Sequence, residues 1–274
     1  MKTKLSAAVI ALAVISVGAF TSCTKSSKKK IVIKGSTTVL PITQKGAEAY
    51  SKTNEVSISI EGSGSGNGIK AIIDGSCDIA NASRAMKSKE IKKAEAKGVT
   101  AKEITVAFDM IVPVVHPSNT IKKITMDELK AIYEGQISNW KEIGGKDAKI
   151  VVISRDTSSG TYEVWHKLVM KKKDVRKDAL LQASNGAIVS TVSENPKAIG
   201  YIGFGYINKS ITPLNVNNVV PTLENGKSGK FVISRKLFMY INEATISKEA
   251  MDFVNYLVGP EGQKIVKQAG FIPL

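Results

Sequence analysis

Three short stretches concentrate hydroxyl side chains and glycine: Gly35-Ser36-Thr37-Thr38, the glycine-rich turn at 62–68 with Ser63 and Ser65, and Arg155-Asp156-Thr157-Ser158-Ser159-Gly160-Thr161. Each lies between an apolar run that reads as a strand and a segment with helical spacing. A helix start leaves its first four backbone N–H groups unpaired and carries the positive end of the peptide dipoles. Hydroxyls and glycine-exposed amides beside such a start make a cradle of donors, which is what a tetrahedral oxyanion requires. Arg155 adds a planar fork of donors suited to parallel hydrogen bonds with two oxygens. Read singly, each turn is equally a helix cap, which needs one hydroxyl. These turns offer two or more apiece, and two of them are packed with glycine.

Other chemistries find little support. The turn at 62–68 does not fit G-x-G-x-x-G, because Asn67 or Ile69 replaces the third glycine. Gly226-Lys227-Ser228 resembles the end of a nucleotide-phosphate loop, but Pro221 occupies the position of its required first glycine. No serine lies in G-x-S-x-G, and the two histidines, His116 and His166, read as packing or surface residues. No His, Cys or carboxylate cluster has metal-ligand spacing, so neither metal nor cofactor is expected. Nucleic-acid binding lacks aromatic platforms, with 6% aromatics.

The elements that must position these turns alternate from the start. Strands are expected at 30–35, 55–62 and 78–83, with helices to about residue 50, at 69–73 and at 88–97. That order implies α/β architecture, a mostly parallel sheet flanked by helices, with ligands beyond the carboxyl ends of the strands. Residues 104–115 form the longest strand-like run, though Pro113 stands against an uninterrupted central ladder there. Further on, helices are expected at 125–134, 162–170 and 187–194, and strands at 149–154 and 198–204. Residues 230–242 are again strand-rich, and 247–268 read as a helix broken at Gly259-Pro260. A chain that crosses at 104–115 and returns at 230–242 builds two lobes with a cleft between them. The expected division is 31–112 with 232–274 as lobe 1 and 113–231 as lobe 2.

The amino terminus carries Lys2 and Lys4, then an apolar run over 5–20, short for a membrane-spanning helix. It reads as a signal peptide over 1–22. Small residues lead into Cys23, resembling the lipobox of bacterial lipoproteins, so acylation of Cys23 is expected, with a basic, polar tether over 23–30. Cys77 then has no partner and reads as a small buried hydrophobe. The chain holds 39 basic and 24 acidic residues, a net +15, and loss of Lys2 and Lys4 with the leader leaves +13. Such a surface attracts anions without choosing among them.

The chain resembles the phosphate-binding proteins of phosphate ABC transporters, within the type II periplasmic-binding-protein superfamily. The stretches that carry the resemblance are GSTTVLPI at 35–42, GSGSGNGIKA at 62–71, DIANASRAMK at 78–87, ISNWKEIGG at 137–145, SRDTSSGT at 154–161 and GYIGF at 200–204. They span nearly all of the chain after the leader. The resemblance implies a two-lobed fold that closes on inorganic phosphate without turnover and hands it to permease subunits and their ATPase. It implies a monomer held outside the cytoplasmic membrane by its lipid alone. It puts Thr37, Thr38, Ser65, Arg155, Ser159, Gly160 and Thr161 against the anion, with Ser36 and Ser83 beside them. Some members hold an Asp after the third strand to accept the phosphate proton; here that position is Arg84, which accepts nothing. Arg84 is therefore expected against the anion or paired with an acid. Asp109 becomes the candidate proton acceptor, with Asp156 second, unless Asp109 is a structural partner of the crossover backbone or of Arg84. Two other readings remain: the same fold holding sulfate, molybdate or tungstate, and a secreted phosphatase.

Overall fold

A computed structural model describes residues 29–274, so the leader and Cys23 lie outside the described residues. The first elements are β1 (Lys29–Gly35), α1 (Leu40–Tyr50), β2 (Val56–Gly62), α2 (Ser65–Ile73), β3 (Ile79–Ala82), α3 (Ser88–Ala96) and β4 (Ala101–Val115). The middle of the chain holds β5 (Lys123–Ile124), α4 (Met126–Glu134), β6 (Val151–Arg155), α5 (Gly160–Leu168), β7 (Leu180–Gln182), α6 (Asn185–Glu194), β8 (Ala198–Gly203), β9 (Thr212–Pro213), β10 (Asn215–Val216) and α7 (Leu223–Lys227). β11 (Ser234–Asn242), α8 (Lys248–Val258) and α9 (Pro260–Gln268) complete it.

Alternation makes the strands. Ile31 and Ile33 of β1 are fully buried, and Ile79 to Ala82 are buried throughout, as befits a strand covered on both faces. The main sheet runs β2-β1-β3-β11-β4-β8-β6-β7, with β9 also on β4. β1 pairs with β2 and β3 in parallel, and β6 pairs in parallel with β7 and β8, whereas β11 and β4 are antiparallel to their neighbours. The fold is thus a mixed α/β sheet in two lobes.

Two bodies of core underlie the two lobes. One packs Ile31, Ile42, Val106, Leu237, Phe253 and Phe271, among others, and a smaller cluster with Ile69 and Tyr240 lies in the same lobe. The other packs Val112, Tyr133, Trp165, Ile188, Tyr201 and Phe231. β4 crosses from one to the other, and the chain returns just before β11, with Ile233 in the second core and Leu237 in the first. Residues 101–110 of β4 pair with β11, and 111–115 pair with β8. The ladder does not stop at Pro113, contrary to expectation. Leu214 N donates to Pro113 O, 2.9 Å away. In an antiparallel strand a residue's N and C=O point to the same edge, so the missing N–H faces away from β8 and that ladder survives.

The turns that matter meet because glycine lets them. Gly35 has φ +128°, and a Cβ on it would lie 2.2 Å from Asn81 O. A Cβ on Gly68 would lie 2.6 Å from Gly35 Cα. These close approaches seat the turns after β1 and β2 against the end of β3. Cys77 is a buried free thiol, and burial pushes it up to about 12.

Candidate anion-binding site

The carboxyl ends of β1, β2, β3, β6 and β8 converge on one buried cluster. From lobe 1 come Thr37, Thr38, Ser65 and Ser83, none more than 3% exposed. From lobe 2 come Arg155, Ser159 and Thr161, each 1% exposed, and Asn185, fully buried. Gly160 and Thr161 open α5, where the backbone amides have no intrahelical acceptor.

The hydroxyls are in contact across the lobes. Thr38 Oγ1 and Thr161 Oγ1 are 3.0 Å apart. Ser65 Oγ accepts from Ser83 N at 3.0 Å and lies 3.2 Å from Ser83 Oγ. Gly160 sits directly above this serine pair: a Cβ there would lie 2.4 Å from Ser65 Oγ and 2.7 Å from Ser83 Oγ. Gly66 N donates to Ser158 O across the cleft at 2.9 Å, and the Tyr206 hydroxyl donates to Thr37 O.

Arg155 is braced by backbone. Its Nε donates to Gln182 O at 2.9 Å and its Nη2 to Ala183 O at 2.8 Å, while its own amide donates to the Tyr201 hydroxyl at 3.2 Å. Tyr201 is held by stacking on Trp165, centroids 4.2 Å apart. The remaining nitrogen, Nη1, is buried with no hydrogen-bond partner in the protein. Burial pulls the guanidinium below its ordinary pKa, opposed by Asp156, and Arg235 is near enough to pull it further.

Some predicted residues are placed elsewhere. Arg84 turns out of the cluster and pairs with acids: Nη1 and Nη2 each donate to Glu90 at 2.8 Å, and Nε lies 3.0 Å from Glu163 Oε1. Lys87 Nζ reaches the other Glu163 oxygen at 2.7 Å, so α3 of lobe 1 and α5 of lobe 2 are joined by an ionic bridge. Ser36 spends its hydroxyl as a cap, accepting from Thr38 N at 3.1 Å and Val39 N at 3.4 Å. Asp156 accepts from Ser158 N at 2.8 Å and stays partly exposed, 4.0 Å from Arg155 Nη2.

Asp109 lies within the cluster, bonded to a residue that sequence reasoning missed. Its Oδ2 accepts from Arg235 Nε at 2.9 Å and Nη2 at 2.7 Å, and its Oδ1 accepts from Phe204 N at 3.0 Å. Burial pushes the Asp109 carboxyl above the ordinary aspartate value, against the pull of Arg235 and the Phe204 amide. Arg235 extends to Thr161 Oγ1 at 3.0 Å and Thr38 Oγ1 at 3.3 Å. Asn185, also missed, donates to Thr37 and Thr38 Oγ1, each at 3.1 Å. Arg235 had a signal, being the inward residue between Ile233 and Leu237 in an apolar run, whereas Asn185 after Ser184 reads as ordinary helix-start punctuation. Among the described residues, no cluster of three His, Cys or carboxylate side chains could hold a metal ion.

A cradle of buried donors at strand ends, shared between two lobes, places the chain in a known context. The profile of the PBP superfamily domain matches residues 22–261. The phosphate-binding protein PstS of Borreliella burgdorferi is 34% identical over 96% of this chain and 97% of its own. This chain belongs to the PstS family of the PBP superfamily. The PstS of Staphylococcus saprophyticus is 33% identical over 88% of this chain and 79% of its own. Among solved structures, a Clostridium perfringens protein with bound phosphate superposes with TM-score 0.85 at 35% identity, covering 90% of this chain and all of that one. The ABC-type phosphate transport receptor of Vibrio cholerae gives TM-score 0.73 at 31% identity, over 89% of this chain.

Proposed function

We propose that this PstS-family chain is an extracytoplasmic solute-binding lipoprotein that captures inorganic phosphate between its lobes and delivers it to an ABC importer. One observation carries the reading. Arg155 is 1% exposed, two of its nitrogens are committed to backbone carbonyls, and Nη1 has no protein acceptor. A buried donor left unpaired is costly, and an oxyanion is the acceptor that meets it. The opening of α5 and the hydroxyls of Thr37, Thr38, Ser65 and Thr161 gather at the join between the same two lobes. Charge-assisted bonds contribute roughly 1.5 to 3 kcal/mol each, so a few suffice for micromolar affinity, about −8 kcal/mol. The sequence relation to phosphate-binding proteins and the phosphate-bound neighbour support the same ligand.

Closure is a hinge motion on β4 and β11, with 31–112 and 232–274 as one body and 113–231 as the other. Asp109 accepts the phosphate proton at Oδ1, which takes one hydrogen bond where Oδ2 takes two. Arg84 acts in closure through its bridge to Glu163 rather than as a ligand. Cys23, after the leader, carries the lipid that tethers the protein outside the membrane, where permease subunits and their ATPase receive the phosphate.

Titration calorimetry of the pure protein tests the reading. One phosphate per chain is expected, with sulfate a poor competitor; sulfate displacing phosphate equally well would replace phosphate as the assigned ligand. Fatty-acid labelling lost in C23A is the corresponding test of the anchor.

A further inference from the structure

We propose that Asn185 and Arg235 are positioning residues that fix the hydrogen-bond polarity of three threonine hydroxyls, so that Thr37 and Thr161 present their protons toward a bound oxyanion. The inference rests on the phosphate reading and deepens it.

The direction of the Asn185 carboxamide follows from its neighbours. Gly203 N lies 3.0 Å from Oδ1, and a backbone amide only donates, so the oxygen must face Gly203. Nδ2 therefore faces Thr37 Oγ1 and Thr38 Oγ1 and donates to both. Arg235 has no acceptor at all. Its Nη1 donates to Thr161 Oγ1 and its Nη2 to Thr38 Oγ1, while Asp109 and Ser83 O hold the guanidinium in place.

A hydroxyl has one proton and two lone pairs. Thr37 and Thr161 each spend a lone pair on these partners, and Thr38 spends both, one on Asn185 and one on Arg235. The three protons must point elsewhere. One bridges Thr38 and Thr161, 3.0 Å apart, which leaves two for a ligand in the cluster. The wall is thus set to donate before any ligand arrives, so an anion that offers only acceptors meets no hydroxyl that must first turn round.

The test compares the unaltered protein with N185D and N185A by phosphate calorimetry at pH 8, with thermal unfolding of each without phosphate. N185D has nearly the same shape, and one oxygen still takes the Gly203 amide. Its other oxygen accepts from Thr37 and Thr38, so the Thr37 proton is drawn away from the ligand and the Thr38 proton no longer goes to Thr161. Polarity control predicts that N185D weakens phosphate binding by about a hundredfold or more and N185A by about tenfold or less. The bare charge of the new carboxylate, or a packing role, costs as much in a T37V background as in the unaltered one, whereas polarity control makes N185D cost much less there, because the Thr37 proton is already gone; an equal cost in both backgrounds overturns the inference. N185A weaker than N185D, or N185D within about threefold of the unaltered protein, overturns the inference while the phosphate reading survives. Failure of the unaltered protein to bind phosphate overturns both. Should N185D not fold, T37V decides: it is expected to lose about tenfold, and T37V binding like the unaltered protein overturns the inference.

Discussion

Arg155 joins two roles that a substitution separates only in part. Removing its side chain in R155A deletes the charge and the free Nη1, so phosphate affinity should fall at least tenfold, about 1.4 kcal/mol or more. The carbonyls of Gln182 and Ala183 lose their donor as well, so β7 should loosen and the melting temperature should fall slightly. Calorimetry beside thermal unfolding separates the effects, and undiminished affinity would remove Arg155 from the site. Asp109 bears on selectivity. D109N keeps the size but not the acceptor strength, so phosphate should lose more affinity than sulfate and the ratio between them should narrow; an unchanged ratio would place the proton acceptor elsewhere. At this scale the donors were legible, because hydroxyls, glycine and arginine at strand ends advertise anion chemistry in one dimension. Arg235 and Asn185 were not, because what they do depends on partners distant in sequence: Asp109 is 126 residues from Arg235, and Thr37 is 148 from Asn185. Arg84 shows the same limit, since an arginine beside a predicted ligand does not disclose that Glu163 of the other lobe holds it.

Helix α5 is the element through which the second lobe meets the first. Its opening Gly160 rests on Ser65 and Ser83, so a methyl group there would collide across the cleft and not within its own lobe. G160A should therefore leave unfolding of the ligand-free protein nearly unchanged while weakening phosphate binding tenfold or more, with scattering profiles that stay extended at saturating phosphate. Compaction and affinity equal to the unaltered protein would show that the lobes do not close this tightly. Most elements were readable from periodicity, including the α1 and α3 helices and the strands around them. β4 departed from expectation because a proline's effect depends on which edge its nitrogen faces, and that edge is set by β9, a two-residue strand with no signal of its own. The short β7 was missed for a similar reason: Leu180 and Leu181 are exposed, so no alternation marks them.

The whole molecule buries several tyrosines at and near the join between lobes. Burial pushes Tyr201 and Tyr206 up to about 12 from an ordinary 10.0, with Tyr133 and Tyr240 raised as well. Each folded value lies above the unfolded one, so the stabilisation from keeping these hydroxyls neutral is complete below about pH 10, and the share from Tyr201 and Tyr206 is lost as pH rises through about 12. Alkaline titration should show part of the tyrosinate absorbance appearing only together with loss of circular dichroism; full ionisation near pH 10 with the fold intact would contradict this. Two lobes were foreseeable from a long strand in the middle and another near the end, but periodicity could not say that those strands lie side by side. That adjacency has a consequence for biosynthesis. β11, which leaves the ribosome after the whole inserted lobe, sits between β3 and β4, which were made more than a hundred residues earlier. The amino-terminal sheet therefore waits, missing its middle, until the inserted lobe has been made, whereas that lobe by then has its strands and helices and can fold ahead of it.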